Sequence, residues 1–207
     1  MTLAAVIISS MAMAQSVQEC IEKAIECIDK QNYTEAAEWA RKGAEQGHAG
    51  SQAVLGLLYS KGAGVPKDIN EALKWFNKAA EQGDTKSQNY LGFFYEFGNG
   101  VTQDYAEAMK WYRKAAEQGN VEAYHNIGRL FFLAEGVPQD FAEAAKWFRK
   151  AAEQGHAKAQ YTLGYSYEKG LGVTQDLAEA MKWYGMAAEN GDNAAKAALE
   201  RVKKSER

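Results

Sequence analysis

Tryptophan recurs in this chain at Trp39, Trp75, Trp111, Trp147 and Trp183, a constant step of 36 residues. Gly47, Gly83, Gly119, Gly155 and Gly191 keep the same step, as do the pairs Ala79-Ala80, Ala115-Ala116, Ala151-Ala152 and Ala187-Ala188. Self-similarity at a fixed period of this size marks an array of stacked supersecondary units. A unit of this length cannot bury its own apolar stripe, so each must be stabilised by packing on its neighbour.

The chemistry within one period specifies a helix pair. In one copy, TKSQNYLGFFYEFG is followed by the loop NGVTQ and then by DYAEAMKWYRKAAEQG. Asp68, Asp104, Asp140 and Asp176 are each followed three residues later by Glu71, Glu107, Glu143 and Glu179, with Asn32 and Glu35 in the first unit. That spacing predicts a capping box, in which each side chain satisfies a backbone N–H left without a partner at the helix start. The second helix ends at the recurring glycine, which closes a helix in the left-handed conformation without a Cβ clash. His48, Asp84, Asn120, His156 or Asp192 follows at once, and most of these are good N-caps for the next helix. So short a turn predicts antiparallel neighbours. Ala72, Trp75, Phe76 and Ala79 recur at helical spacing as one apolar stripe with small residues where helices approach.

Two prolines permit long helices, and the 19 glycines are largely absorbed by the repeat boundaries. Lys+Arg 24 against Asp+Glu 27 gives a net charge of −3 without a basic block, which disfavours nucleic acid as a partner.

The recurring L-G-x-x-Y of the first helix, G-x-G-V-x-x-D of the loop and A-x-x-W-x-x-K-A-A-E-x-G of the second resemble the Sel-one-like repeat family, a branch of the tetratricopeptide superfamily. The resemblance covers residues 49–192 in four copies, 49–84, 85–120, 121–156 and 157–192. It implies an all-α fold, a right-handed α–α solenoid or superhelix of stacked antiparallel helix pairs. It also implies a non-enzymatic adaptor or scaffold whose partner is another protein or peptide, without a cofactor, and in bacteria often one that is exported. Residues 15–48 lack the glycine loop and look like a plain tetratricopeptide helix pair, and residues 193–207 read as a polar capping helix. The third copy departs at Ala134, where its neighbours have Gly62, Gly98 and Gly170, and at Ile127, which puts its loop geometry in question.

Positions that repeat are committed to packing, so a binding surface is expected where residues vary between copies on the inner face of the first helices. Aligned on the tetratricopeptide motif, these are Gly50, Ala53, Leu57, Ser60 and Lys61. Their equivalents are Lys86, Asn89, Phe93, Glu96 and Phe97, then Glu122, His125, Arg129, Phe132 and Leu133, then Lys158, Tyr161, Tyr165, Glu168 and Lys169. Aromatic anchors mixed with a few polar groups are the composition of a protein-binding groove. The alternative for Phe93, Phe97 and Phe132 is core filling between first helices. For Arg129 the choice is between carboxylate recognition through its planar fork and a surface ion pair.

Three histidines make a poor catalytic inventory. His48 and His156 occupy the same inter-helix turn, where capping or packing is expected, and His125 is read as a contact residue. The G-x-G loops are too short for a phosphate loop, and two Cys and three His do not fall at metal-ligand spacing. Ser166-Tyr167-Glu168-Lys169 matches S-x-x-K, with Ser166 as nucleophile and Lys169 as base of a weak β-lactam-binding or hydrolysing protein. The companion motifs of such enzymes are absent, so this stands as the alternative function, and an envelope spacer or oligomerisation module stands as a third. Cys20 and Cys27 lie two helical turns apart, about 10.5 Å by helical rise against the roughly 7 Å a disulfide tolerates. They are therefore apolar thiols, or one of them links to another chain in an oxidising compartment. Residues 1–14, MTLAAVIISSMAMA, form a short apolar run ending in Ala12-Met13-Ala14 and read as a signal peptide cleaved before Gln15. The expected location is then periplasmic or secreted, with no membrane span in the mature chain, and cytoplasmic if the segment is not a signal.

Overall fold

The computed structural model describes residues 17–205, so the leader expected over 1–14 lies outside the described residues. Among the described residues there are eleven helices and no strands. The chain divides into two compact units between Gln103 and Asp104. The first holds α1 (17–29), α2 (Tyr33–Glu45), α3 (Ala49–Lys61), α4 (Ile69–Glu81) and α5 (Thr85–Phe97). The second holds α6 (Tyr105–Glu117), α7 (Val121–Leu133), α8 (Phe141–Glu153), α9 (Ala157–Lys169), α10 (Leu177–Glu189) and α11 (Asn193–Ser205).

From α2 onward every helix is 13 residues long, about 20 Å by helical rise and at the margin of stability alone. Packing supplies the rest. In the first unit Leu55 and Leu58 of α3 lie among Ala36 and Ala40 of α2 and Trp75 of α4. In the second, Leu163 of α9 meets Phe148 of α8 and Trp183 of α10, and α11 lays Ala195, Ala198 and Val202 over Ala187 and Tyr184. The glycines of Leu55-Gly56 and Leu163-Gly164 sit where the first and second helices of their pairs touch. A Cβ at Gly56 would stand 2.9 Å from the Phe76 ring, and one at Gly164 would stand 2.9 Å from Tyr184.

The turns between pairs form as their residue types dictate. Gly47, Gly83, Gly119, Gly155 and Gly191 have φ between 83° and 90°. His48, Asp84, Asn120, His156 and Asp192 each accept the backbone N–H three residues on. The capping box forms only in half. Asp68, Asp104, Asp140 and Asp176 accept the N–H of Glu71, Glu107, Glu143 and Glu179, but these glutamates do not reach back. Glu71, Glu143 and Glu179 instead accept the indole N–H of Trp75, Trp147 and Trp183 at 3.2, 2.9 and 3.1 Å. The return bond is superfluous, because the N–H groups of Asp68, Asp140 and Asp176 already donate to the carbonyls of Tyr59, Phe131 and Tyr167. At Asn32 no side-chain cap forms; its amide donates to Glu35 Oε2 at 2.7 Å.

Ala134 keeps the loop geometry of its neighbours, with φ 60° against 68°, 65° and 69° at Gly62, Gly98 and Gly170. An L-residue in this region carries a steric cost of about 1–2 kcal/mol, from which the extra freedom of glycine in the unfolded chain must be subtracted. Ala134→Gly is therefore expected to raise stability by about 1 kcal/mol in urea unfolding, and a lowered midpoint would show that this loop carries no strain.

Candidate functional site

In the first unit, the variable positions Leu57, Ser60 and Lys61 of α3 and Phe93 of α5 come together as walls of one pocket of about 420 Å³. Sequence reasoning missed Lys67, Ile69 and Tyr90, which also line it. Phe93 and Phe97, 43% and 49% exposed, form an aromatic pair with ring centroids 4.7 Å apart. Burying such a side chain is worth about 1.5–3 kcal/mol, so their exposure leaves binding energy available. Lys86 is exposed on the first turn of α5 and Asn89 is half-buried one turn on.

Lys67 breaks a structural pattern. Its counterparts Gln103, Gln139 and Gln175 donate to first-helix carbonyls, those of Glu96, Phe132 and Glu168, at 2.8, 3.0 and 2.9 Å. Lysine replaces this anchor only in the first full copy, and that replacement was the signal in the sequence. Lys61 and Lys67 are both exposed, and neither belongs to an ion pair among the described residues.

In the second unit the same criterion selects a more occupied surface. Arg129 Nη1 lies 3.3 Å from Glu135 Oε2, which favours the ion-pair reading of this residue. Phe132 packs against Phe141 and Phe148 at 5.1 and 6.0 Å and is a partly buried filler of the core. Leu133 is half-exposed, Tyr161 and Tyr165 are half-buried, and Lys169 is exposed. Tyr161 lies 5.6 Å from the Tyr184 ring. Glu122 and Lys158 flank a shallow hollow at the turn between α8 and α9.

Glu96 and Glu168 do not belong to a surface. They are 1% and 5% exposed, and the turn of α9 that carries Glu168 points toward α10, the second helix of its own pair. Glu168 accepts both guanidinium nitrogens of Arg201, at 2.8 and 2.7 Å, and the Tyr184 hydroxyl at 2.9 Å. These partners, Arg201 first, hold its carboxyl down at about 2.

His156 caps α9 through Nδ1, which accepts from Ala159 N–H at 3.1 Å, so its Nε2 carries the proton that meets Glu122 Oε2 at 3.1 Å. His125 stacks on His156 with ring centroids 4.7 Å apart. Burial, followed by the charges of His156, Arg129 and Lys158, pushes His125 down to about 3. The unfolded chain binds this proton below about pH 6.5 and the folded chain does not, so the stability is complete above pH 6.5 and falls as pH drops toward 3. Between pH 7 and 4.5 the wild type is expected to lose about 2 kcal/mol more than His125→Phe in urea unfolding. Equal losses would remove His125 as the cause.

Ser166 is buried and its hydroxyl donates to the Thr162 carbonyl at 3.0 Å, while Lys169 pairs with Glu168 at 2.7 Å. This arrangement gives no support to a nucleophile–base pair. Helix α1 runs unbroken through Cys20 and Cys27, and both thiols are free. Cys20 is buried, and Cys27 is half-buried with its thiol pushed up by desolvation and then by Glu35 and Glu26. No helix among the described residues is long and apolar enough to cross a membrane.

The family model of the Sel1 repeat matches residues 20–48, 49–84, 85–120, 121–156 and 157–192. The match thus extends into the first helix pair, whose sequence lacks the glycine loop. Comparison with curated protein sequences gives no match. Among solved structures, the chain is similar to a protective antigen with an SLR fold from uropathogenic Escherichia coli, at 35% identity and TM-score 0.83, over 92% of this chain and 42% of that one. It is similar to a Sel1 repeat protein from Oxalobacter formigenes at 38% identity and TM-score 0.83, over 86% of this chain and 75% of that one. A Sel1 repeat protein from Klebsiella pneumoniae shares the fold at 21% identity and TM-score 0.63, over 93% and 96% of the two chains. With its period, its helix pairs and its caps accounted for, the chain belongs to the Sel1 repeat family, whose architecture is an all-α solenoid.

Proposed function

We propose that this protein is a non-catalytic adaptor that binds a protein or peptide segment on the exposed face of its first helices. The Sel1 repeat is a scaffold fold typical of protein–protein interaction. The observation that carries the reading is the pocket on which Leu57, Ser60, Lys61 and Phe93 converge, beside the half-exposed pair Phe93 and Phe97. These positions vary between copies, so packing of the repeat does not account for them, and exposed aromatics are the side chains that most often dominate binding energy.

The test is a pull-down from native extract with the wild type beside a Phe93→Ala, Phe97→Ala variant of matched helicity by circular dichroism. Both side chains are exposed, so their loss leaves the fold standing. A partner held by the wild type should be retained at least about tenfold less by the variant. Equal retention would move binding off this face, and no specific partner would favour a spacer.

A further inference from the structure

We infer that the pocket of the first unit takes an acidic peptide, an apolar side chain entering between Leu57, Ile69 and Phe93 while flanking carboxylates meet Lys61 and Lys67. The inference rests on the first-helix face being a binding surface and adds the chemistry of what binds. Lys61 and Lys67 both line the pocket, and no acidic residue lines it. Many lysines of this chain are engaged, Lys74, Lys146 and Lys182 by a glutamate three residues back and Lys78 and Lys150 by the face of a tryptophan. Lys61 and Lys67 are not among the pairs formed by the described residues. A pocket that combines apolar walls, Leu57, Ile69 and Phe93, with the unpaired cations Lys61 and Lys67 is complementary to an apolar side chain beside a carboxylate.

The second unit supplies an internal comparison at the same repeat positions. There Ser60 is replaced by Phe132, Lys61 by Leu133, Lys67 by Gln139 and Leu57 by Arg129. The Phe132 ring occupies the space against Phe141 and Phe148, Gln139 is tied to the Phe132 carbonyl, and Arg129 is met by Glu135. The fold therefore accepts a filled, lysine-free version of this position, and the open version with two free ammonium groups is not needed to build a repeat. Two cations are too few to track a nucleic-acid backbone, and the net charge of −3 opposes one.

The comparison also provides the variants. A random-peptide display library is panned on the wild type and on Ser60→Phe, which places the side chain of Phe132 at the equivalent position. Peptides selected only by the wild type should be enriched in Asp and Glu next to an apolar residue. One such peptide, measured by fluorescence anisotropy, should bind at least about tenfold more weakly to Lys61→Leu, Lys67→Gln and lose affinity with added salt. No selection specific to the open pocket, selection without acidic enrichment, or an affinity indifferent to the lysines would overturn the inference. The Phe93→Ala, Phe97→Ala pull-down reads a different quantity. A partner lost there with no acidic preference here would leave the adaptor reading standing and remove only this one.

Discussion

Gly172→Ala is expected to lower the stability of the chain by about 3–5 kcal/mol, among the largest effects any single methyl group should have here. Two costs combine at this position. Its φ of +72° lies in the left-handed region, worth about 1–2 kcal/mol for an L-residue. In addition, the added Cβ would stand 2.0 Å from the carbonyl oxygen of Phe141 and 2.5 Å from the nitrogen of Ala142. These are backbone atoms at the start of α8, so no rotamer change relieves the overlap. The loop after one first helix here rests directly on the N-terminus of the preceding pair's second helix, and a Cβ added at Gly64 would likewise stand 2.0 Å from the Tyr33 carbonyl oxygen. Gly155→Ala is the control. It has φ +85° but nothing within 4 Å of its added Cβ, so it should show the conformational cost alone. The two variants, compared by urea unfolding, should differ by about 2 kcal/mol or more; equal losses would show that close stacking is not why Gly172 is a glycine.

That glycine illustrates what could be read from one sequence. The period, the helix pairs, the left-handed stops and the N-caps other than Asn32 were legible, because each depends on a residue type whose local physics is nearly independent of context. The capping box was over-read, since the N–H it would have served was already taken by the preceding first helix, a tertiary contact that local spacing does not reveal. The loop at Ala134 kept its shape for the converse reason, the surrounding contacts holding a conformation that alanine alone disfavours.

The candidate pocket and the aromatic pair beside it were legible where variation between copies reflects freedom from packing, as at Leu57, Ser60, Lys61, Phe93 and Phe97. It misled where variation is compensated inside the core. Phe76 and Phe148 alternate along the chain with Tyr112 and Tyr184, and the first-helix position sixteen residues earlier alternates with them, as Ser60 and Phe132 against Glu96 and Glu168. A glutamate stands wherever a tyrosine follows. The two positions change together, so the variability of Glu168 records a buried partner, the Tyr184 hydroxyl, and not an open surface.

A large electrostatic effect should come from that buried glutamate. Glu168 joins three helices: it sits on α9, accepts from Tyr184 on α10, and is gripped through both oxygens by Arg201 on α11. Its side chain is 6% exposed while that of Arg201 is 57% exposed, so the arginine keeps water on its outer side while the carboxylate depends on its partners. Glu168→Gln retains an acceptor for Tyr184 but loses the charge, and Arg201→Ala leaves a buried carboxylate with Lys169 and Tyr184 alone. Each is expected to cost about 2 kcal/mol, allowing for solvent around the arginine. The double variant should cost little more than the worse of the two, since both remove one interaction. The pH dependence has a definite sign. The folded carboxyl titrates at about 2, below its ordinary value of 4.5, so its contribution is complete above pH 4.5 and is lost as pH falls toward 2. The stability gap between wild type and Glu168→Gln should therefore be flat from pH 7 to 5 and close below that. A gap that persists at pH 2, or single variants whose costs simply add, would mean that α11 is held by its apolar contacts and that Arg201 does not fasten the end of the array through Glu168.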